Sequence, residues 1–182
     1  MNPAPGCVFW LFGLSGAGKS TLANRLTGQL RGEGRGVLAL DGDVLRSGLC
    51  RELGFSDDDR AENLRRAAEA ARLGIESGLS VVASFITPLE KNRAMIRTIL
   101  GPDRLVLIFV DAPLGVCQAR DVKGLYARAH SGELRQMTGV SSGFERPEAP
   151  DLALETDREN ADASLRRLLA FVGPRLPVIR PR

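Results

Sequence analysis

Gly13, Gly18, Lys19 and Ser20 stand at the spacing Gly-x-x-x-x-Gly-Lys-Ser within "GLSGAGKS". Glycines let a backbone turn tightly and approach a ligand, so a loop such as Gly13–Thr21, with Ser15, Gly16 and Ala17 inside it, can aim its N–H groups at an anion. A lysine next to it reaches the outer phosphates of a nucleotide, and a serine hydroxyl can bind Mg²⁺. Two carboxylates follow in "LDGD", at Asp41 and Asp43. Phosphoryl transfer to a hydroxyl needs one group that orients the acceptor and takes its proton, and others near the metal. Asp43 suits the first task. Asp41 suits the metal shell, beside Ser20. A plain Asp/Gly turn is the bland alternative for both aspartates.

Arg46, Arg60, Arg65 and Arg66 come next, with Asn63 among them. Arginine forks fit phosphate or sulfate oxygens. From spacing alone, a solvated helix face explains them equally well. Phe55 and Phe144 are aromatics in polar surroundings, each either an anchor of a small cluster or a stacking surface for a planar ligand.

These residues need a scaffold. "CVFWLF" (7–12) predicts a strand, followed by a helix over about 19–30 with Leu22, Leu26 and Leu30 on one face. "VLAL" (37–40) is a second strand, and a short helix is expected over about 44–51. A long helix spans "DDDRAENLRRAAEAARLGIESG", its acids at the positive helix end. Further strands are expected over 79–85, 104–112 and 151–156, and further helices over 88–100, from 113, and over 160–172. Continuous apolar strands separated by helices indicate a doubly wound α/β fold: a mostly parallel five-stranded sheet covered on both faces. Ligands gather at the carboxyl ends of such strands, where the residues above and Asp111 fall. The segment 121–150 is long, polar and glycine-containing. It is expected to be a mobile lid that excludes water, with a surface helix and loop as the alternative.

The 182 residues suit a single domain, and their apolar (43%) and charged (26%) shares are those of a globular protein. A formal net charge of +3, with acids interleaved among the bases, argues against a nucleic-acid partner. No apolar run is long enough for a membrane span, and no leader pattern precedes the first strand, so a cytoplasmic location is expected. Cys7, Cys50 and Cys117 lack metal-ligand spacing, and His130 is the only histidine.

Taken together, the chain resembles the adenylyl-sulfate kinase (APS kinase) family. The matching stretches are "LDGDVLRSGL", "LGFSDDDRAENLRR", "ASFITP", "ARDVKGLYARAHSGEL", "MTGV" and "FERPEAPDLALET", beside the more widely shared "GLSGAGKSTLA". The resemblance implies transfer of the ATP γ-phosphate, with Mg²⁺, to the 3′-hydroxyl of adenosine 5′-phosphosulfate (APS). It assigns Arg46, Arg60 and Asn63 to the phosphosulfate and Phe55 and Phe144 to an adenine sandwich. It puts Phe85, Ile86 and Leu125 at the acceptor, Lys123 near the phosphates, and Arg120 against the adenine of ATP. It also implies a homodimer and a functional link to ATP sulfurylase. The chain departs from the family at Val44, usually Asn, at Ser47, often His, and at Thr87, often Ser. A kinase of another small hydroxyl compound, such as a sugar acid, and a non-catalytic nucleotide-binding subunit are the alternatives.

Overall fold

A computed structural model describes residues 6–133 and 137–176. Five strands form one sheet: β1 (Val8–Phe12), β2 (Val37–Asp41), β3 (Ser80–Phe85), β4 (Leu105–Asp111) and β5 (Leu152–Glu155). Their order is β2-β3-β1-β4-β5, and every pairing is parallel. The helices are α1 (Lys19–Gly32), α2 (Gly42–Ser47), α3 (Asp57–Glu76), α4 (Glu90–Leu100), α5 (Leu114–Arg120), α6 (Leu125–His130) and α7 (Ala161–Val172). A 3₁₀ turn, Gly173–Arg175, follows α7.

Strand β1 shows why the sheet is covered twice. Its residues point alternately to opposite faces. Val8, Trp10 and Phe12 pack with Leu64, Ala67, Ile75 and Ile96 of α3 and α4. Phe9 and Leu11 pack with Leu22, Leu26 and Leu30 of α1 and Leu168 and Val172 of α7. All five β1 residues are fully buried, so the strand reads as an unbroken apolar run. Burying a side chain of this size contributes about 1.5–3 kcal/mol, so the central strand is a strong anchor for the loop that leaves its end.

The short second helix starts two residues before the expected position. Asp41 is its N-cap, accepting from the Asp43 N–H at 3.0 Å, and this lets the helix begin at Gly42. Helix α4 begins at Glu90 rather than 88, and its first N–H donates to the Glu145 carboxylate at 2.5 Å. The segment 121–150 contains α6 and a tight turn in which the N–H groups of Val140, Ser141 and Ser142 all donate to the Met137 carbonyl. Part of that expected lid, 134–136, lies outside the described residues.

Candidate active site

The phosphate loop runs from the end of β1 into α1. Gly13 has φ 147° and Gly16 φ 79°. A Cβ at Gly13 would stand 2.3 Å from the Val110 carbonyl oxygen, and one at Gly16 2.8 Å from that of Cys117, so no side chain fits at either. The four loop carbonyls from Leu14 to Ala17 are each taken by a side chain. Lys19 Nζ donates to Leu14 O at 2.7 Å and Tyr126 Oη to Ser15 O at 3.0 Å. Arg120 Nη1 donates to Gly16 O at 3.3 Å and Thr156 Oγ1 to Ala17 O at 2.8 Å. With these carbonyls occupied, the loop N–H groups at the N-terminus of α1 suit an anion.

Lys19 is buried, and burial first, then the neighbouring charge of Lys123, pushes its ammonium down to about 8. A site that disfavours its own cation in this way is short of negative charge, which a phosphate supplies. Ser20 Oγ donates to Asp41 Oδ2 at 3.1 Å and lies 3.4 Å from Ser84 Oγ. The two residues expected to hold the metal are therefore neighbours. A hydroxyl and one carboxylate are hard oxygen donors of the kind Mg²⁺ takes when phosphates and waters complete its shell. Among the described residues no cluster of three or more His, Cys, Asp or Glu side chains offers an all-protein metal cage.

A cavity of about 640 Å³ opens over this loop. Ser15, Gly16, Gly18, Lys19, Ser20 and Thr21 line its floor, and Asp41 and Asp43 line one wall. Arg46, Phe55, Arg60 and Asn63, from α2, α3 and their connection, form the wall expected to face the acceptor, and Phe85 and Ile86 also line the cavity. Lys123 and Leu125 close it from the 121–150 segment. Lys123 Nζ is ion-paired with the Asp43 carboxylate.

The acceptor-side cations are themselves held. Arg46 Nη1 donates to the Leu53 and Gly54 carbonyls, and its guanidinium lies 4.5 Å from the Phe55 ring centroid. Arg60 Nε donates to Phe55 O and its Nη1 to Thr138 Oγ1, both at 2.8 Å. Burial and the nearby charge of Arg46 lower its pKa. Asn63 is 5% exposed, and its Oδ1 has no hydrogen-bond partner. The residue lines the cavity, where its amide N–H groups are of the kind that donate to anionic oxygens.

Of the expected site residues, Gly13, Ala17, Arg120 and Phe144 are not among those that line this cavity. Phe144 does not face Phe55 across it. It stacks on Phe109 (centroids 6.0 Å apart, planes at 20°) and lines a second cavity of about 320 Å³. The reason is the chain around it: Glu145 N–H donates to Pro88 O at 2.8 Å, and Arg146 is ion-paired with Asp111 at the end of β4. Asp111 is thus engaged there as well and lines the second cavity. Arg120 lies beside the phosphate loop, its guanidinium on Gly16 O and on the Thr156 hydroxyl and carbonyl.

Several cavity residues escaped the sequence reading: Ser84, Thr138 and Tyr126. Their partners, Ser20, Arg60 and Ser15, are 64, 78 and 111 residues away, so no local pattern announces them. The departures remove no group expected of the site. Val44 is 66% exposed, Ser47 Oγ donates to the Val44 carbonyl within α2, and Thr87 Oγ1 accepts from Trp10 Nε1 at 2.9 Å.

Comparison with known proteins fits this geometry. An adenylyl-sulfate kinase of Paraburkholderia xenovorans is 52% identical over 172 residues, covering 94% of this chain and 96% of that protein. The structure of the Mycobacterium tuberculosis APS kinase CysC in complex with AMPPNP and APS superposes with a TM-score of 0.89 at 40% identity, covering 94% of this chain and 99% of that one. A gluconokinase from Sinorhizobium meliloti, 19% identical with a TM-score of 0.61, shares the fold alone. The adenylylsulphate kinase profile matches residues 5–155, and the chain belongs to that family.

Proposed function

We propose that this chain transfers the γ-phosphoryl group of ATP to the 3′-hydroxyl of APS, giving 3′-phosphoadenosine 5′-phosphosulfate and ADP. One observation carries the reading: a single cavity joins the phosphate loop to a wall bearing Asp43, two arginines, an asparagine amide and an aromatic ring.

The loop N–H groups and Lys19 hold the β- and γ-phosphates. Arg120 supplies the surface for the adenine of ATP, next to Gly16. Ser20 and Asp41 would hold Mg²⁺, which would neutralise charge that develops on the phosphates. Arg46, Arg60 and Asn63 bind the phosphosulfate. Phe55 stacks on the adenine of APS, with Phe85, Ile86 and Leu125 beside it. Phe144 reaches that base only if its stack on Phe109 opens. The Asp43 carboxylate accepts the 3′-hydroxyl proton as that oxygen bonds to the γ-phosphorus. The bond from the γ-phosphorus to the β,γ-bridging oxygen breaks, and ADP leaves. The 121–150 segment closes over the cavity and excludes water, with Lys123 near the transferring group. The working form is read as a homodimer that accepts APS from a sulfurylase reaction.

The test is ADP release from Mg²⁺-ATP by the purified protein with and without APS, with the nucleotide product identified by mass. APS-dependent ADP and a singly phosphorylated APS are expected. ATP binding without APS-dependent turnover would reject the reading in favour of another acceptor or a non-catalytic role.

A further inference from the structure

Arg93, in the first turns of α4, is 1% exposed and is not among the residues that line the cavity. Its guanidinium is spread over three pieces of chain. Nε donates to the Glu90 carboxylate at 2.7 Å, and Nη1 donates to the Thr87 carbonyl at 3.1 Å and the Pro88 carbonyl at 3.3 Å. Nη2 donates to the Glu145 carbonyl at 3.1 Å. The same group lies 5.4 Å from the Phe12 ring centroid. Burying a cation is costly, and an apolar side chain of similar volume would fill the space between α4 and the sheet without that cost. What the cation does here is hold carbonyls.

The Thr87 carbonyl is an unusual one to hold. Thr87 has φ 45°, and among the described residues it is the one non-glycine well inside the left-handed region. A β-branched residue is strained there, and it stays only when its surroundings over-determine it. Two buried bonds do so from opposite sides: Trp10 Nε1 on its hydroxyl and Arg93 on its carbonyl. Thr87 continues the cavity wall of Phe85 and Ile86, and the Ile86 carbonyl accepts from the Gly13 N–H at 3.2 Å. On its other side, Glu145 N–H reaches Pro88 O and the Glu145 carboxylate caps α4. Arg93 is the side chain that joins the strained turn to the far end of the 121–150 segment.

We infer that Arg93 is a positioning residue for the acceptor. Acting through the Thr87 and Pro88 carbonyls, and together with Trp10, it sets the face that Phe85 to Pro88 presents to APS. It also fixes where the covering segment returns to that face. This inference rests on the proposed function of the cavity.

Steady-state kinetics on the full chain test it, with APS and ATP varied separately for wild type, Arg93→Met, Arg93→Lys, Thr87→Val and Thr87→Ser. Arg93→Met is expected to raise the KM for APS about tenfold and leave the KM for ATP within about twofold. Arg93→Lys, which keeps a donor, recovers part of the loss. Thr87→Val keeps the side-chain shape but not the hydroxyl, and behaves like Arg93→Met. Thr87→Ser keeps the hydroxyl and recovers most of the loss seen in Thr87→Val. If Arg93→Met fails to fold, Arg93→Lys decides, with a KM for APS raised several-fold and an unchanged KM for ATP. Lower thermal midpoints with an unchanged KM for APS, or equal rises in both KM values, would overturn the inference and leave the proposed function standing. Absence of APS turnover by the wild type overturns both, and that result is read before any variant is made.

Discussion

Lys123 and Asp43 are ion-paired across the mouth of the cavity, one from the start of the 121–150 segment and one from the first turn of α2. Both side chains are substantially exposed, at 49% and 69%. Exposed pairs contribute little to folding, so the value of this one lies in where it puts two charges. Lys123→Met is expected to lower kcat/KM for APS about a hundredfold, as loss of a cation at a transferring phosphoryl group does. The thermal midpoint should move by no more than about 2 °C. A variant with normal kcat/KM would remove Lys123 from the mechanism.

Phe55 is 56% exposed and flanked by Arg46 and Arg60, whose guanidinium carbons lie 4.5 and 5.8 Å from its centroid. An exposed aromatic held between cations is a poor core residue and a good stacking surface. Base stacking is worth about 1–3 kcal/mol, so Phe55→Ala should raise the KM for APS roughly five- to hundredfold and leave the KM for ATP alone. An acceptor without a base would not feel the change.

Asn63 separates function from stability. Its Oδ1 is buried and unpaired, so the folded protein bears the cost of an open acceptor. Asn63→Leu should leave the thermal midpoint unchanged or raise it, while raising the KM for APS about tenfold. A fall in stability with normal binding would mean that the carbonyl has a structural partner instead.

Glu62 gives a pH dependence. Hydrogen bonds from Arg65 first, then Arg66, pull its carboxyl from 4.5 down to about 2. Folding therefore favours the ionised form. The gain is complete above pH 4.5 and disappears as pH falls toward 2. Glu62→Gln lacks it, so the midpoint difference from wild type should be constant above pH 4.5 and shrink to nothing near pH 2. Thermal unfolding across that range is the measurement, and a difference that does not depend on pH would refute the assignment.

The elements and the phosphate loop were legible because their signals are local. Leu22, Leu26 and Leu30 recur at helical spacing and are all buried on one face of α1. Gly13 and Gly16 must be glycine because of backbone that returns from β4 and α5, yet the motif records that need in the sequence. The aspartate pair was legible for the same reason. The aromatic pair was not: whether Phe144 meets Phe55 or Phe109 depends on Arg146 finding Asp111, 35 residues earlier. The wall behind the acceptor was equally silent, since Trp10 and Thr87 are 77 residues apart and join only when β1 and β3 pair.

The strand order β2-β3-β1-β4-β5 puts the phosphate loop at the centre of the sheet. Asp41, Asp43 and the turn from Phe85 to Pro88 leave the ends of β2 and β3 on one flank. Arg120 and Thr156 follow β4 and β5 on the other. On the proposed reading the nucleotide and most of the acceptor wall lie on separate flanks, with a shared loop between them and Lys123 and Leu125 reaching across from the β4 side. A lineage could rewrite the β2–β3 flank for a new hydroxyl compound and inherit the nucleotide flank intact. On this sheet, a change of acceptor is a local edit.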